Sequence, residues 1–217
     1  DEPVEAYYYS TSCGHGTDGS VWGGDGSQTP YLKATELRDR KRCLDLTSNS
    51  AFTEFIKNPD IPSFDSGYAM YRWTALYKGS TLGNQLGLGC VDSISIKERG
   101  VGGVAKHMVV TDVNGNQKKY KNQMEIRRAL GSKSLEIVQK NGKPAEGMSL
   151  LPSAFIAIEE VGTAKDGSKL FQILGGGYGH GAGMSQNGAQ GMAKEGKTYE
   201  EILKFFYEGT ELRESEL

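Results

Sequence analysis

Phe155-Ile156-Ala157-Ile158 and Leu170-Phe171-Gln172-Ile173-Leu174 flank an Asp166-Gly167 turn, and Gly175-Gly176-Gly177-Tyr178-Gly179-His180-Gly181-Ala182-Gly183 follows directly. Two apolar β-prone runs around a turn dipeptide predict an antiparallel hairpin. Beyond the glycines, Met184 to Glu195 predicts a helix, with Gly196 just past its end. The spacing Thr198-x-x-Glu201 then predicts a capping box for a last helix carrying Ile202, Leu203 and Phe206.

Upstream the pattern is similar. Val4 to Ser12 is aromatic and β-prone, and Cys13 to Ser27 is a loop with six glycines. Phe52, Phe55 and Ile56 fall at helical spacing before Asn58-Pro59. Tyr71, Trp73, Ala75 and Tyr77 alternate as in a half-buried strand, and Ile94 and Ile96 continue that style. Val104–Val113 and Gln117–Lys121 flank Asn114-Gly115, which predicts a hairpin with a two-residue turn. Gln123 to Leu130, closed by Gly131, predicts a short helix. Strands dominate and do not alternate one for one with helices, so the fold class is α+β, mainly antiparallel β with a few short helices.

The chain has 217 residues, 25 basic against 27 acidic, and a net charge of −2. That length suits one large domain or two small ones. The balance gives no field that recruits nucleic acid, and no apolar run approaches the roughly 20 residues of a membrane helix. Arg38-Asp39-Arg40-Lys41-Arg42 reads as a solvated surface. Asp1-Glu2-Pro3-Val4 followed by Tyr7-Tyr8-Tyr9 reads like the middle of a domain, so a truncated chain is expected. Cys13, Cys43 and Cys90 include no CxxC pair, so a structural zinc knuckle is unsupported. One disulfide with a free thiol and three buried thiols both remain open, and with them the compartment.

Three clusters carry candidate chemistry. Six glycines in nine residues at 175–183 remove side chains where a large partner could approach the backbone, although a tight turn with positive φ would also need them. Tyr178, His180, Ser185 and Gln186 are interspersed there, an aromatic face with hydroxyl, imidazole and amide groups that suits a sugar. Ser10, Ser12 and His15 form a second polar cluster, in which Cys13 and His15 raise a nucleophilic thiol or a ligand pair as options. Gly191-Met192-Ala193-Lys194-Glu195-Gly196-Lys197-Thr198 matches the phosphate-loop pattern, a weaker nucleotide-binding alternative because no buried strand feeds it. His107 lies within a hairpin and reads as packing. None of the 27 acidic residues is marked out by its neighbours as a glycosidase acid.

Gly177 to Ala189, Gly191-Met192-Ala193, and Tyr199, Ile202, Leu203, Tyr207, Gly209, Thr210 and Leu212 closely resemble the C-terminal signature of the stage II sporulation protein D (SpoIID/LytB) family, which includes the amidase enhancers. Tyr9-Ser10-Thr11-Ser12, Gly14-His15, Val21-Trp22-Gly23 and Pro30-Tyr31-Leu32 resemble its central segment, with Cys13 where a glycine is usual. Trp73, Arg99-Gly100 and Arg127-Arg128-Ala129-Leu130 fall in family order. The resemblance implies a SpoIID-like fold over residues 1–217, ending in a Tyr-x-x-Ile-Leu helix and a Tyr-x-Gly-Thr-x-Leu strand. It further implies lytic transglycosylase-like binding and cleavage of peptide-stripped peptidoglycan glycan strands, a peptidoglycan amidase as partner, and an extracytoplasmic location, at the wall or membrane-anchored. Such chemistry needs one carboxyl group that protonates the glycosidic oxygen and then takes a proton from the sugar's own hydroxymethyl group. The family's helical segment bearing its proposed catalytic glutamate has no counterpart here, nor does its zinc-binding His/Cys cluster. No catalytic residue and no metal site is therefore assigned, and a non-catalytic amidase enhancer stands as the alternative. Ser10, Ser12 and His15 are expected to form one wall of a glycan groove, and Tyr178, His180, Ser185 and Gln186 the other.

Overall fold

The computed structural model describes residues 3–39, 44–145 and 148–213. In chain order the strands are β1 (Tyr8–Tyr9), β2 (Trp73–Lys78), β3 (Val91–Arg99), β4 (Ala105–Asp112) and β5 (Gln117–Tyr120). They continue with β6 (Ile137–Gln139), β7 (Pro144–Ala145), β8 (Ile156–Thr163), β9 (Lys169–Gly175) and β10 (Met184–Ser185). The helices are α1 (Asn49–Lys57), α2 (Gly79–Leu86), α3 (Gln123–Leu130), α4 (Gln186–Lys194) and α5 (Tyr199–Phe206).

The fold is α+β. An antiparallel sheet in the order β7-β6-β2-β9-β8 carries the main core, and β3-β4-β5 form a second antiparallel sheet. In β2, Trp73, Ala75 and Tyr77 are buried while Thr74, Leu76 and Lys78 face outward, the period of two that one covered face dictates. Phe52, Phe55 and Ile56 are the buried stripe of α1, whose first turn is capped by Ser48 accepting from the Ala51 N–H. A second cluster, including Leu32, Leu37, Met192, Ile202 and Phe206, seats α4 and α5. The capping box of Thr198 and Glu201 opens α5, as the spacing predicts.

Several expectations are corrected. Only Tyr8–Tyr9 of the Val4–Ser12 stretch is a strand, and it pairs in parallel with β10, 176 residues later (Tyr8 with Met184). Met184 and Ser185 are strand, so the helix begins at Gln186 with Ser185 as its cap. The 112–116 turn has three loop residues. Gly115 takes φ +83° and donates to the Asp112 carbonyl, while the Asp112 side chain accepts from the Asn114 and Asn116 N–H groups. Tyr207 to Leu212 is a turn and extended chain with no strand partner among the described residues. His107 is half-exposed and pairs with Glu98 at 2.8 Å, a surface contact instead of packing. Helix α2 was not expected. Gly83 fits there because a Cβ would sit 2.0 Å from the Gly89 carbonyl oxygen, so packing overrides helix propensity. Residues 40–42 of the charge run and Cys43 lie outside the described residues. Cys13 and Cys90 are free thiols.

Candidate functional site

The glycine-rich loop leaves β9 and crosses the Tyr7–Thr17 segment. Tyr178 N–H donates to the Thr11 carbonyl (2.7 Å), and the Ser10 and Thr11 N–H groups donate back to the Tyr178 carbonyl. Gly177, Gly179, Gly181 and Gly183 all have positive φ. A Cβ at Gly183 would lie 2.1 Å from the Tyr7 carbonyl oxygen, and one at Gly179 2.6 Å from the Tyr9 Cβ. The space that glycine frees is thus filled by the chain itself, which corrects the expectation that it admits a partner.

The two polar clusters meet, but as hydrogen-bonded layers. Asp65, fully buried, accepts from the Ser12 N–H (2.7 Å), Ser12 Oγ (2.9 Å), Ser63 Oγ (2.7 Å) and Ser185 Oγ (2.9 Å). Ser185 Oγ also accepts from the Gly188 N–H, capping α4. Ser12 and Ser185 therefore hold the fold together and do not line a groove. His15 is buried too, its Nδ1 2.8 Å from the Gly16 carbonyl oxygen. Burial depresses its pKa, opposed by that carbonyl and Glu36. Cys13 is fully buried, and burial raises its thiol to about 11, against Arg72, which unsuits it as a nucleophile. Among the described residues no three His, Cys, Asp or Glu side chains gather as a metal cluster.

Ser10, Tyr178, His180 and Gln186 remain at the surface. His180 Nε2 donates to the Tyr8 carbonyl (3.0 Å) and Nδ1 accepts from the Ala182 N–H (3.3 Å), which defines a neutral tautomer. Burial lowers its pKa, the Arg127 charge acts in the same direction, and the Tyr8 carbonyl opposes both. With both nitrogens engaged by backbone, the ring offers a face.

Trp22 covers that face. A short 3-10 turn, Gly19–Trp22, capped by Asp18, delivers the indole to 5.2 Å from the His180 ring and 4.4 Å from Tyr7. Trp22 is 44% exposed, Tyr178 36% and Tyr8 59%. Trp22, Tyr7 and His180 form the aromatic surface, the indole bridging the other two rings. Buried Arg127, on α3, donates to the Leu151 and Pro152 carbonyls, and the Gly179 N–H donates to the same Pro152 carbonyl. Tyr178 Oη contacts Met148 Sδ at 3.3 Å, and Met148 lines a cavity of about 760 Å³ with Lys133, Glu136 and Pro144. Trp22 and Arg127 were missing from the expected site. An exposed tryptophan inside a glycine-rich loop was the available signal for the first; nothing local marked the second.

The phosphate-loop match fails structurally. Gly191 to Lys194 is helix, and the Glu195, Gly196 and Lys197 N–H groups donate to carbonyls of Gly191, Ala193 and Met192. Those donors cannot cradle a phosphate, and Thr198 caps α5.

The family described as Domain of unknown function (DUF8618) matches residues 18–183, which include Trp22, Arg127 and the glycine-rich stretch 175–183. The chain belongs to the DUF8618 family. This DUF8618 chain is also 27% identical over its whole length to "Stage II sporulation protein D" of Bacillus subtilis (strain 168), covering 47% of that protein. It is 28% identical to the protein of that name from Bacillus amyloliquefaciens, again covering 47%. Over 87 residues, 40% of the chain and 12% of the relative, it is 36% identical to the "Amidase enhancer" of Bacillus subtilis (strain 168). The chain is thus similar in sequence to proteins named stage II sporulation protein D over its whole length and to the amidase enhancer over a part of it. The chain spans about half the length of the sporulation relatives it matches.

Proposed function

We propose that this chain holds peptide-stripped peptidoglycan glycan strands during sporulation-related cell-wall remodelling, as the strand-gripping part of a lytic transglycosylase-like activity. The observation that carries it is the exposed Trp22 indole stacked on Tyr7 and on the backbone-locked His180 ring, with exposed Tyr178 in the same glycine-rich loop as His180. Sugar rings present C–H faces that stack on aromatic rings, while phenol and amide groups take their hydroxyls. Ser10 and Gln186 are the polar groups beside it. The Arg127 charge beneath favours strands whose muramoyl carboxylates have been freed by removal of the stem peptides. On this reading the chain works outside the cytoplasm. Among the described residues, a carboxylate linked to the surface is Glu5, exposed and accepting from Tyr7 Oη, which is not the apolar setting of a glycosidase acid.

A second reading, that the chain binds strands and assists a peptidoglycan amidase without cutting, is favoured by the likeness to the amidase enhancer. Co-sedimentation with peptide-free strands tests binding: Trp22→Ala and Tyr178→Ala should each weaken it about 3- to 10-fold while the fold survives. Unchanged binding in folded variants would remove the surface from the site. Mass spectrometry of the same mixtures separates the readings, since anhydro-ended fragments appear only if the chain cuts.

A further inference from the structure

Three arginines are buried among the described residues, and they are not equivalent. Arg99 donates from Nε to Asn49 Oδ1, from Nη1 to the Gly103 carbonyl and from Nη2 to the Ile156 carbonyl, so all its nitrogens are engaged. Arg127 lies under the aromatic surface. Arg72 is 6% exposed, stacked 4.3 Å from the Tyr71 ring centroid and 5.2 Å from that of Phe55. Nη1 donates to the Cys13 and Tyr71 carbonyls and Nη2 to the Phe55 carbonyl. Its Nε–H has no acceptor, and its charge no carboxylate partner, among the described residues. A buried cation without a counter-charge is costly, and an unmet buried donor adds to that cost.

Arg72 also lines a cavity of about 410 Å³ on the outer face of β6-β2-β9, within the size range of small-molecule sites. Lys57, Lys140 and Glu159 share its wall, so with Arg72 the lining carries three positive charges against one negative. Glu159 is paired with Lys57 at 2.7 Å, while Lys140 donates to the Ser66 carbonyl, lies 5.3 Å from the Tyr71 ring centroid and has no carboxylate partner among the described residues. The surplus suits a monoanion, and the Glu159 charge disfavours a dianion such as phosphate. Thr74 offers a hydroxyl, and Val138 and Leu174 an apolar floor.

We infer that this cavity binds a small organic monocarboxylate, such as a short peptide C-terminus, with its carboxylate on Lys140 in the field of the uncompensated Arg72 charge and its apolar body on Val138 and Leu174. The inference is independent of the aromatic surface. The test is an NMR titration of the whole chain with N-acetyl-alanyl-alanine, with its C-terminal amide and with inorganic phosphate. The acid should give saturable shifts at Thr74, Val138 and Gln172, and the amide should bind at least tenfold more weakly. Arg72→Met should weaken the acid at least tenfold. Because that variant removes three carbonyl contacts, exposed Lys140→Glu is the safeguard and should cost at least tenfold while leaving glycan co-sedimentation unchanged. Equal binding of acid and amide, tighter binding of phosphate, or full binding by Lys140→Glu would each overturn the inference.

Discussion

The stretches 10–15 and 178–186 look alike in sequence, each a string of small residues carrying Ser, His and polar partners, yet the fold uses them oppositely. In the first, Ser12 and His15 turn inward, and Ser12 is spent on Asp65. In the second, Ser185 joins the same carboxylate, while Tyr178 and Gln186 reach the surface and His180 presents a ring face. Polar residue types therefore do not by themselves distinguish a ligand wall from an internal brace. What separates them is whether the backbone or a buried charge has already claimed their hydrogen bonds.

The largest expected effect comes from removing the brace. Asp65→Ala leaves three buried donors and the part-buried Ser63 hydroxyl without their acceptor and should cost roughly 3–5 kcal/mol in chemical denaturation. A loss below about 1 kcal/mol would mean that the two stretches do not share a common anchor. Next is Gly183→Ala, which combines φ +77° with a Cβ 2.1 Å from the Tyr7 carbonyl oxygen. It should cost about 2–3 kcal/mol and loosen the pairing of β1 with β10, read as faster amide exchange at Met184.

The smallest effect sharpens the contrast between the histidines. Both His15 and His180 have pKa values depressed by burial, so below the ordinary value of 6.5 the unfolded chain takes up protons first. Their contribution to stability is complete above that pH and is lost as pH falls toward the native values. The melting temperature should drop between pH 7 and 5, and His180→Gln should remove part of that slope. Asp166, held down to about 2 by Ser168, then Ser80, acts only in a more acidic window. A melting temperature flat from pH 7 to 5 would count against both imidazoles being held neutral.

Much of the fold was legible because its signals are local. The hairpin of β8 and β9, the buried stripe of α1 and the Thr198–Glu201 capping box each depend on residues within a few positions, whose period or cap chemistry permits little else. Helix α2 was not legible, because Gly79 and Gly83 oppose helix and only the backbone of Gly89 to Val91, packed against them, explains the choice. The site was half legible. Tyr178 and His180 were visible as polar and aromatic residues among glycines, but Trp22 arrives from more than 150 positions away, and Arg127 matters only because α3 sets it beneath them.

By itself the sequence determined the α+β class, most element positions and the family likeness, since short-range hydrogen bonding and burial periodicity act on neighbours along the chain. The tertiary structure alone decided that Asp65 gathers three serines, that β1 meets β10 in parallel and that His180 spends both nitrogens on backbone. Each of these is a pairing of distant segments, and a hydrogen bond is claimed by whichever partner the packed core brings within reach.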